Sequence, residues 1–235
     1  AMKPKPRACW DLTATNETTR SVPFGLPSVW DAAKVVGPDS HFCKYDLRDG
    51  FWSCPIRPKS RNLLVMRHPA TGRLVRPARL PFGWKLSPFL FCGLTEALAQ
   101  ELRRRLAGQG VHVFVFVDDV LCVGENKEAA RRGGEALEQL LGEVGIEWAP
   151  HKQRGPCRCI EFLGLLLSNL PGQQVVALTE SRQEKLRALL TEWEQRRPAA
   201  GADGVRADPR ELASLLGNLV FASQCVPGGR VYMQE

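Results

Sequence analysis

Hydrophobic and polar positions alternate along this chain in two characteristic ways, and one stretch departs from both. Val111 to Gly124, VHVFVFVDDVLCVG, is an apolar run broken only by the adjacent acids Asp118 and Asp119. A run this rich in Val and Phe predicts a buried strand rather than a helix. Side chains alternate between faces along a strand, so two neighbouring acids predict a bend, most simply a hairpin tip presenting both carboxylates. Phe42 to Ile56, FCKYDLRDGFWSCPI, predicts a second strand with one acid, Asp46, inside it, followed by Asp49 and Gly50-Phe51-Trp52. A buried carboxylate is costly unless a cation meets it. Lys44, Arg48 and Arg57 are the candidate partners of Asp46.

The remaining pattern alternates helices with short strands. SVWDAAKVV predicts a short helix capped by Ser28 and ended by Gly37-Pro38-Asp39. Residues 61–80 predict a hairpin around a PATG turn, with Arg73, Arg76 and Arg79 in its second strand. Leu90, Leu94, Ala97, Leu98 and Leu102 form the apolar stripe of a helix from about Ser87 to Ala107. A second helix, Lys127 to Val144, carries Ala130, Ala136, Leu140, Leu141 and Val144 on one side. Strands and turns follow over 145–178, and a charged surface helix starts after Thr179. PAAGADGVRAD reads as a linker before a last helix with Asp208 as cap and Pro209 at its first position. The order is that of an α+β fold, not a βαβ repeat.

Composition sharpens the picture in three respects. Lys and Arg number 32 against 25 Asp and Glu, and the formal charge of +7 favours a polyanionic partner. No apolar run approaches the ~20 residues of a membrane span, and the first residues hold no signal-peptide core; an intracellular protein, nuclear or cytoplasmic and not secreted, is expected. Ala1-Met2 reads as a cloning scar, which implies a natural protein extending further. Eight cysteines sit mostly inside apolar runs without a CxxC pair, as expected of reduced thiols. His151, Cys157 and Cys159 lack an evident fourth ligand for a metal site.

If the two acid-bearing strands are neighbours in one antiparallel sheet, Asp46, Asp118 and Asp119 converge. Hard oxygen ligands with open positions suit Mg²⁺ (or Mn²⁺), which keeps waters and substrate phosphates in its shell. Two such ions activate a 3′-hydroxyl and steady a leaving pyrophosphate. The basic strands on either side would grip phosphates, and Phe51-Trp52 would offer a flat wall to a sugar.

These residues also carry a family resemblance. KYDLRDGFWSCPI, RLPFGWKLSPFLF, FVFVDDVLCVG, GIEWAPHK and IEFLGLLLS, in this order, resemble the palm motifs of reverse transcriptases. RACWDLTATN resembles their fingers motif, and LASLLGNLVFASQCVPGGRVY resembles the region C-terminal to the palm in retroelements of the DIRS-like, tyrosine-recombinase group. The resemblance runs from about Lys3 to Tyr232. It implies a polymerase palm, an antiparallel sheet backed by helices, with reduced fingers and a short helical thumb. Residues 1–45 and 57–82 would be partial fingers, 46–56 and 83–178 the palm, and 179–235 a helical thumb-like or connection segment.

By the same resemblance Asp46 and Asp118 are the principal metal ligands and Asp119 the third acid. Phe51 excludes a ribose 2′-hydroxyl, which selects dNTPs and disfavours an RNA-synthesising enzyme. Arg7 contacts the triphosphate, with Lys3 or Lys5 as its companion, and Asp49 and Gly50 offer it backbone contacts. Phe82, Gly83 and Trp84 lie over the nucleotide and template. Lys152 matches the general acid for pyrophosphate, and Phe162, Leu163 and Gly164 the primer grip. The hairpin opens with Phe116-Val117 where many relatives have a tyrosine. The function implied is a template-directed DNA polymerase core working on an RNA or DNA template with a DNA primer. The sparse fingers leave room for a homo-oligomer or a protein partner that replaces them. They also support an alternative, a domesticated and catalytically weak module retained to bind nucleic acid or protein.

Overall fold

The structure is a computed structural model that describes residues 9–173, 175–196, 208–226 and 229. The chain divides into two compact units, Ala1–Ile160 and Glu161–Glu235.

The first unit opens with two short helices, α1 (Thr13–Thr18) and α2 (Val29–Ala33). Ser28 and Asp31 form a reciprocal capping box at the start of α2, satisfying two amides that helical bonding leaves free. Strand β1 (His41–Asp46) follows, then 3₁₀ turns at Gly50–Ser53 and Pro58–Leu64. The hairpin expected over 61–80 is present, with strands β2 (Met66–Arg67) and β3 (Leu74–Val75) of only two residues each. Helix α3 (Ser87–Arg105), strands β4 (Val111–Phe116) and β5 (Asp119–Gly124), and helix α4 (Lys127–Val144) form the centre of the unit. Strand β6 (Arg154–Cys157) completes an antiparallel sheet of order β4-β5-β1-β6.

Strand alternation divides this sheet into two faces. Cys43, Tyr45, Val113, Val115, Val120 and Cys122 join α3 and α4 in one core with Leu102, Leu137 and Leu141. The opposite face carries Lys44 and Asp46 on β1 and Asp119 and Leu121 on β5. Gly133 and Gly134 let α4 press close to the sheet: a Cβ on Gly133 would crowd Cys122, and one on Gly134 the Tyr45 hydroxyl.

Three expectations are corrected. β1 ends at Asp46 instead of running to Ile56, because Asp49 and Gly50 take positive φ of 57° and 27° and turn the chain. The buried side of α3 is Ser87, Phe91, Cys92, Thr95, Ala99 and Leu102; of the expected stripe Leu94 and Leu98 are half-buried against the same core, while Leu90 and Ala97 are exposed. Ser87 and Thr95 face inward because their hydroxyls donate to the carbonyls of Pro81 (2.7 Å) and Cys92 (3.3 Å). On α4 the two glycines, with Ala129 and Leu137, complete the buried face; Ala136 is half-buried against the core, and Val144 is exposed.

The second unit holds most of a three-stranded sheet of order β7-β8-β9, with β7 (Cys159–Phe162) beginning at the boundary, β8 (Leu165–Ser168) and β9 (Val176–Leu178). Helix α5 (Glu180–Arg196) buries none of its residues, in keeping with its charged sequence. Helix α6 (Pro209–Ala222) starts as expected, with Asp208 Oδ1 accepting from the Arg210 amide at 2.7 Å. The linker expected at PAAGADGVRAD lies almost wholly outside the described residues. No helix among the described residues is long and apolar enough to cross a membrane.

Candidate active site

The two acid-bearing strands are direct neighbours. β1 and β5 pair antiparallel with Asp46 opposite Asp119, and β4 pairs the other edge of β5 with Phe116 opposite Asp119. The hairpin tip is therefore Val117-Asp118, one residue earlier than a turn carrying both acids. This register gives Asp119 a ladder partner on each side and turns its side chain to the face of Asp46. Val117 takes a φ of 56°, a left-handed conformation that a β-branched residue adopts only under strain. The Leu47 amide donates to the Asp118 carbonyl at 2.8 Å, and the Ala149 amide to the Asp46 carbonyl at 2.9 Å. Main-chain bonds thus join three segments that are distant in sequence.

Two lysines meet two of the acids. Lys152, at the end of a 3₁₀ turn Pro150–Lys152, donates to both oxygens of Asp46 at 2.9 and 2.8 Å. Lys44 reaches Asp119 Oδ1 at 3.0 Å. Of the partners expected for Asp46, Lys44 instead crosses to the diagonal acid on β5, since Lys44 faces Leu121 and Asp46 faces Asp119. Arg48 pairs with Glu147 at 2.8 Å, and Arg57 forms no ion pair among the described residues. Asp118 has no such partner among the described residues. Burial raises its carboxyl above the usual aspartate range, and the charges of Asp119 and Asp46 push the same way. Among the described residues no three His, Cys, Asp or Glu groups are gathered as a metal cluster; the lysines draw Asp46 and Asp119 to themselves. Carboxylate oxygens with cations already seated on them are nonetheless the donor set that a hard divalent ion needs, so the residues fit Mg²⁺ or Mn²⁺.

A polar network behind the sheet fixes the Lys152 turn. The Tyr45 hydroxyl donates to Glu138 Oε1 at 2.9 Å, and Gln153 Nε2 donates to both, at 2.9 and 3.0 Å. Burial and the Glu138 contact push the Tyr45 phenol up. Neither Glu138 nor Gln153 stands out in the sequence, although a tyrosine in an apolar strand beside an acid requires a polar partner.

The other candidate residues separate into groups. Phe51 packs on Phe82 in a tilted pair, ring centroids 5.0 Å apart and planes 39° apart, and meets Phe91 edge-on at 5.5 Å. Gly83 has a φ of 100°, and a Cβ there would collide with the Trp10 carbonyl. Asn16, which the sequence does not single out, holds this segment by donating to the Gly83 carbonyl (2.7 Å) and accepting from the Lys85 amide (2.9 Å). The Trp84 indole donates to the Thr19 hydroxyl at 3.4 Å. Asp49, exposed, and Gly50, half-buried, form the turn after Asp46, joined to it through Leu47 and Arg48. Arg7 lies outside the described residues. Phe162, Leu163 and Gly164 belong to the second unit, where Leu163 and Gly164 have φ of 53° and 75° and form the tight turn between β7 and β8. All eight cysteines are free, and Cys157 donates to the Cys159 carbonyl at 3.2 Å.

Comparison with known proteins decides the family. Residues 4–167 match the family described as reverse transcriptase (RNA-dependent DNA polymerase). The chain belongs to this family. It is 28% identical over 228 residues to the Pol polyprotein of feline endogenous virus ECE1, covering 94% of this chain and 20% of that polyprotein. It is 29% identical over 229 residues to the Gag-Pol polyprotein of baboon endogenous virus (strain M7), covering 94% of this chain and 12% of that one. The chain thus spans a fifth or less of these curated relatives. Among solved structures it resembles the foamy viral protease-reverse transcriptase in complex with double-stranded DNA, with a TM-score of 0.73 and 22% identity over 99% of this chain and 37% of that one. It also resembles the same protein in complex with an RNA/DNA hybrid, with a TM-score of 0.70 and 23% identity over 96% of this chain and 27% of that one. At these identities the likeness bears on the fold. The antiparallel sheet with α3 and α4 behind it matches the reverse transcriptase palm, and the acidic face is the side of that palm left uncovered by the two helices.

Proposed function

We propose that this reverse transcriptase domain is a template-directed DNA polymerase core that adds dNTPs to a primer 3′-hydroxyl on an RNA or DNA template. The observation that carries the reading is the pairing of Asp46 with Asp119 across β1 and β5, with Asp118 in the adjoining turn. Asp46, Asp118 and Asp119 would hold Mg²⁺ or Mn²⁺, which when bound activates the primer hydroxyl and stabilises the leaving pyrophosphate. Lys152 is the general acid in this reading: its ammonium, on Asp46 in the free protein, would neutralise the departing pyrophosphate and donate a proton to its oxygen. Phe51, braced by Phe82 and Phe91, closes the space a 2′-hydroxyl would need. Asp49 and Gly50 offer turn amides to the triphosphate, Arg7 adds a cation, and Phe82 to Trp84 back the nucleotide and template. Phe162 to Gly164 serve as the primer grip.

In domain terms, residues 1–45 and 57–82 act as partial fingers, 46–56 and 83–178 as the palm, and 179–235 as a short thumb. Descent from a DIRS-like retroelement rests on the segment Leu212 to Tyr232. The test is primer extension on RNA and DNA templates with Mg²⁺ or Mn²⁺, beside an Asp118→Asn, Asp119→Asn double variant. Extension that disappears in the double variant supports the polymerase. No extension, with salt-sensitive duplex binding retained by the variant, supports a module kept for binding.

A further inference from the structure

Lys44 has no part in the chemistry described above, yet it stands on the acidic face. It lies two residues before Asp46 on β1, opposite Leu121, while Asp46 is opposite Asp119. A lysine at this position has its natural reach along the diagonal to the acid on the next strand. It uses that reach, with Nζ 3.0 Å from Asp119 Oδ1. The two lysine contacts differ in their surroundings. Lys152 is 54% exposed at the end of a short turn, so its ammonium can leave Asp46 for solvent or for a phosphate. The Lys44 side chain is only 21% exposed and its Asp119 partner 23%. Lys44 also sits on an interior strand, flanked by Leu121 on β5 and Arg154 on β6. A side chain rooted there has few other places for its charge to go.

We infer that Lys44 is a positioning residue that clamps Asp119 and stays in place when a divalent cation enters, so that Asp119 meets the cation as a partly neutralised carboxylate. Asp46, once Lys152 withdraws, and Asp118, which has no lysine partner among the described residues, are then the full ligands. Lys44 sets how tightly the site holds its cation, and in this chain it holds the affinity down. Release of cation and pyrophosphate together is the step such a setting favours. The inference rests on the reading of the acids as a cation site.

The test is a titration with Mn²⁺ alone, following the free ion by electron paramagnetic resonance, on the protein without nucleic acid. Removing a nearby positive charge is expected to tighten Mn²⁺ binding by roughly tenfold or more in Lys44→Met and Lys44→Gln, whereas Lys44→Arg stays near the parent. Structural damage would weaken binding, so a gain in affinity separates the two effects. Asp119→Asn leaves the Lys44 ammonium unpaired and is expected to weaken Mn²⁺ binding in the parent, though less than Asp46→Asn does, and to erase the gain in the Lys44→Met background. That single variant keeps the test valid if the Lys44 variants fold poorly. Asp118-dependent Mn²⁺ binding that neither tightens in Lys44→Met nor in Lys44→Gln, or that Asp119→Asn weakens as much as Asp46→Asn does, overturns the role of Lys44 alone. Mn²⁺ binding that Asp118→Asn does not reduce overturns the cation site itself, and the Lys44 role with it.

Discussion

Gly134 to Ala tests the fit between α4 and the strand that ends in Asp46. A Cβ on Gly134 would fall well inside contact distance of the Tyr45 hydroxyl, while Tyr45 Cζ and Cε2, at 3.4 and 3.5 Å, are ordinary contacts. Tyr45 is 2% exposed and its hydroxyl is bonded to Glu138 and Gln153, so it cannot simply swing away. Overpacking of this kind costs about 1–3 kcal/mol, and loss of a hydrogen bond to a charged group costs about 1.5–3 kcal/mol. Against this, Ala gains about 1 kcal/mol over Gly inside a helix. With both costs set against the helix gain, the balance is a net loss of roughly 1.5–5 kcal/mol for Gly134→Ala. In a Tyr45→Phe background the obstructing oxygen is gone and only the helix gain remains, so the same substitution is expected to stabilise by up to about 1 kcal/mol. Urea unfolding of the parent, both single variants and the double variant measures this reversal of sign as a coupling energy. An equal effect of Gly134→Ala in both backgrounds would refute the claim that the hydroxyl sets the distance between α4 and β1.

Two further outcomes concern the supports of the site and the sheet behind it. Asn16→Ala removes the two bonds its side chain makes to the Gly83–Lys85 segment, and hydrogen exchange should accelerate at the Lys85 amide while β1 and β5 keep their protection. Burial, with Cys157 and Glu138 adding to it, pushes the Cys43 thiol up to about 12 from an ordinary 9.0; its folded value is the higher one, so the stability it contributes is complete below pH 9.0 and is lost as pH climbs toward 12. Cys43→Ala should flatten the alkaline limb of a urea-midpoint profile, and an unchanged limb would exclude this thiol as its source.

Hydrophobic patterning located the elements because burial tracks it, and it faltered where a polar group is buried without penalty. Helix α4 runs over the range that its periodicity marks, whereas the buried side of α3 is shifted because Ser87 and Thr95 satisfy their own hydroxyls. The acids were legible because an ionisable residue in an apolar strand needs a reason. Their pairing was not, since it depends on register: moving the hairpin tip by one residue decides that Asp119, and not Asp118, lies opposite Asp46. The same register sends Lys44 to Asp119 and leaves Asp46 to Lys152, a residue more than a hundred positions away in the chain. Asn16, Glu138 and Gln153 matter only through contacts made after folding, and nothing in their local sequence announces them.

The hydrogen bonds that the Leu47 and Ala149 amides donate to the Asp118 and Asp46 carbonyls involve no side chain. Any residue with an N–H could take the donor positions, and the acceptor carbonyls are indifferent to what their residues carry. Such a frame is tolerant in a way that hides decay. A lineage that exchanged one of these aspartates for asparagine would keep the hairpin, the register and the palm, and overall sequence similarity would scarcely register the change. Inheritance of the architecture and inheritance of the chemistry are therefore separable, and under the proposed function it is the side chains of the site, not the frame, that record the second.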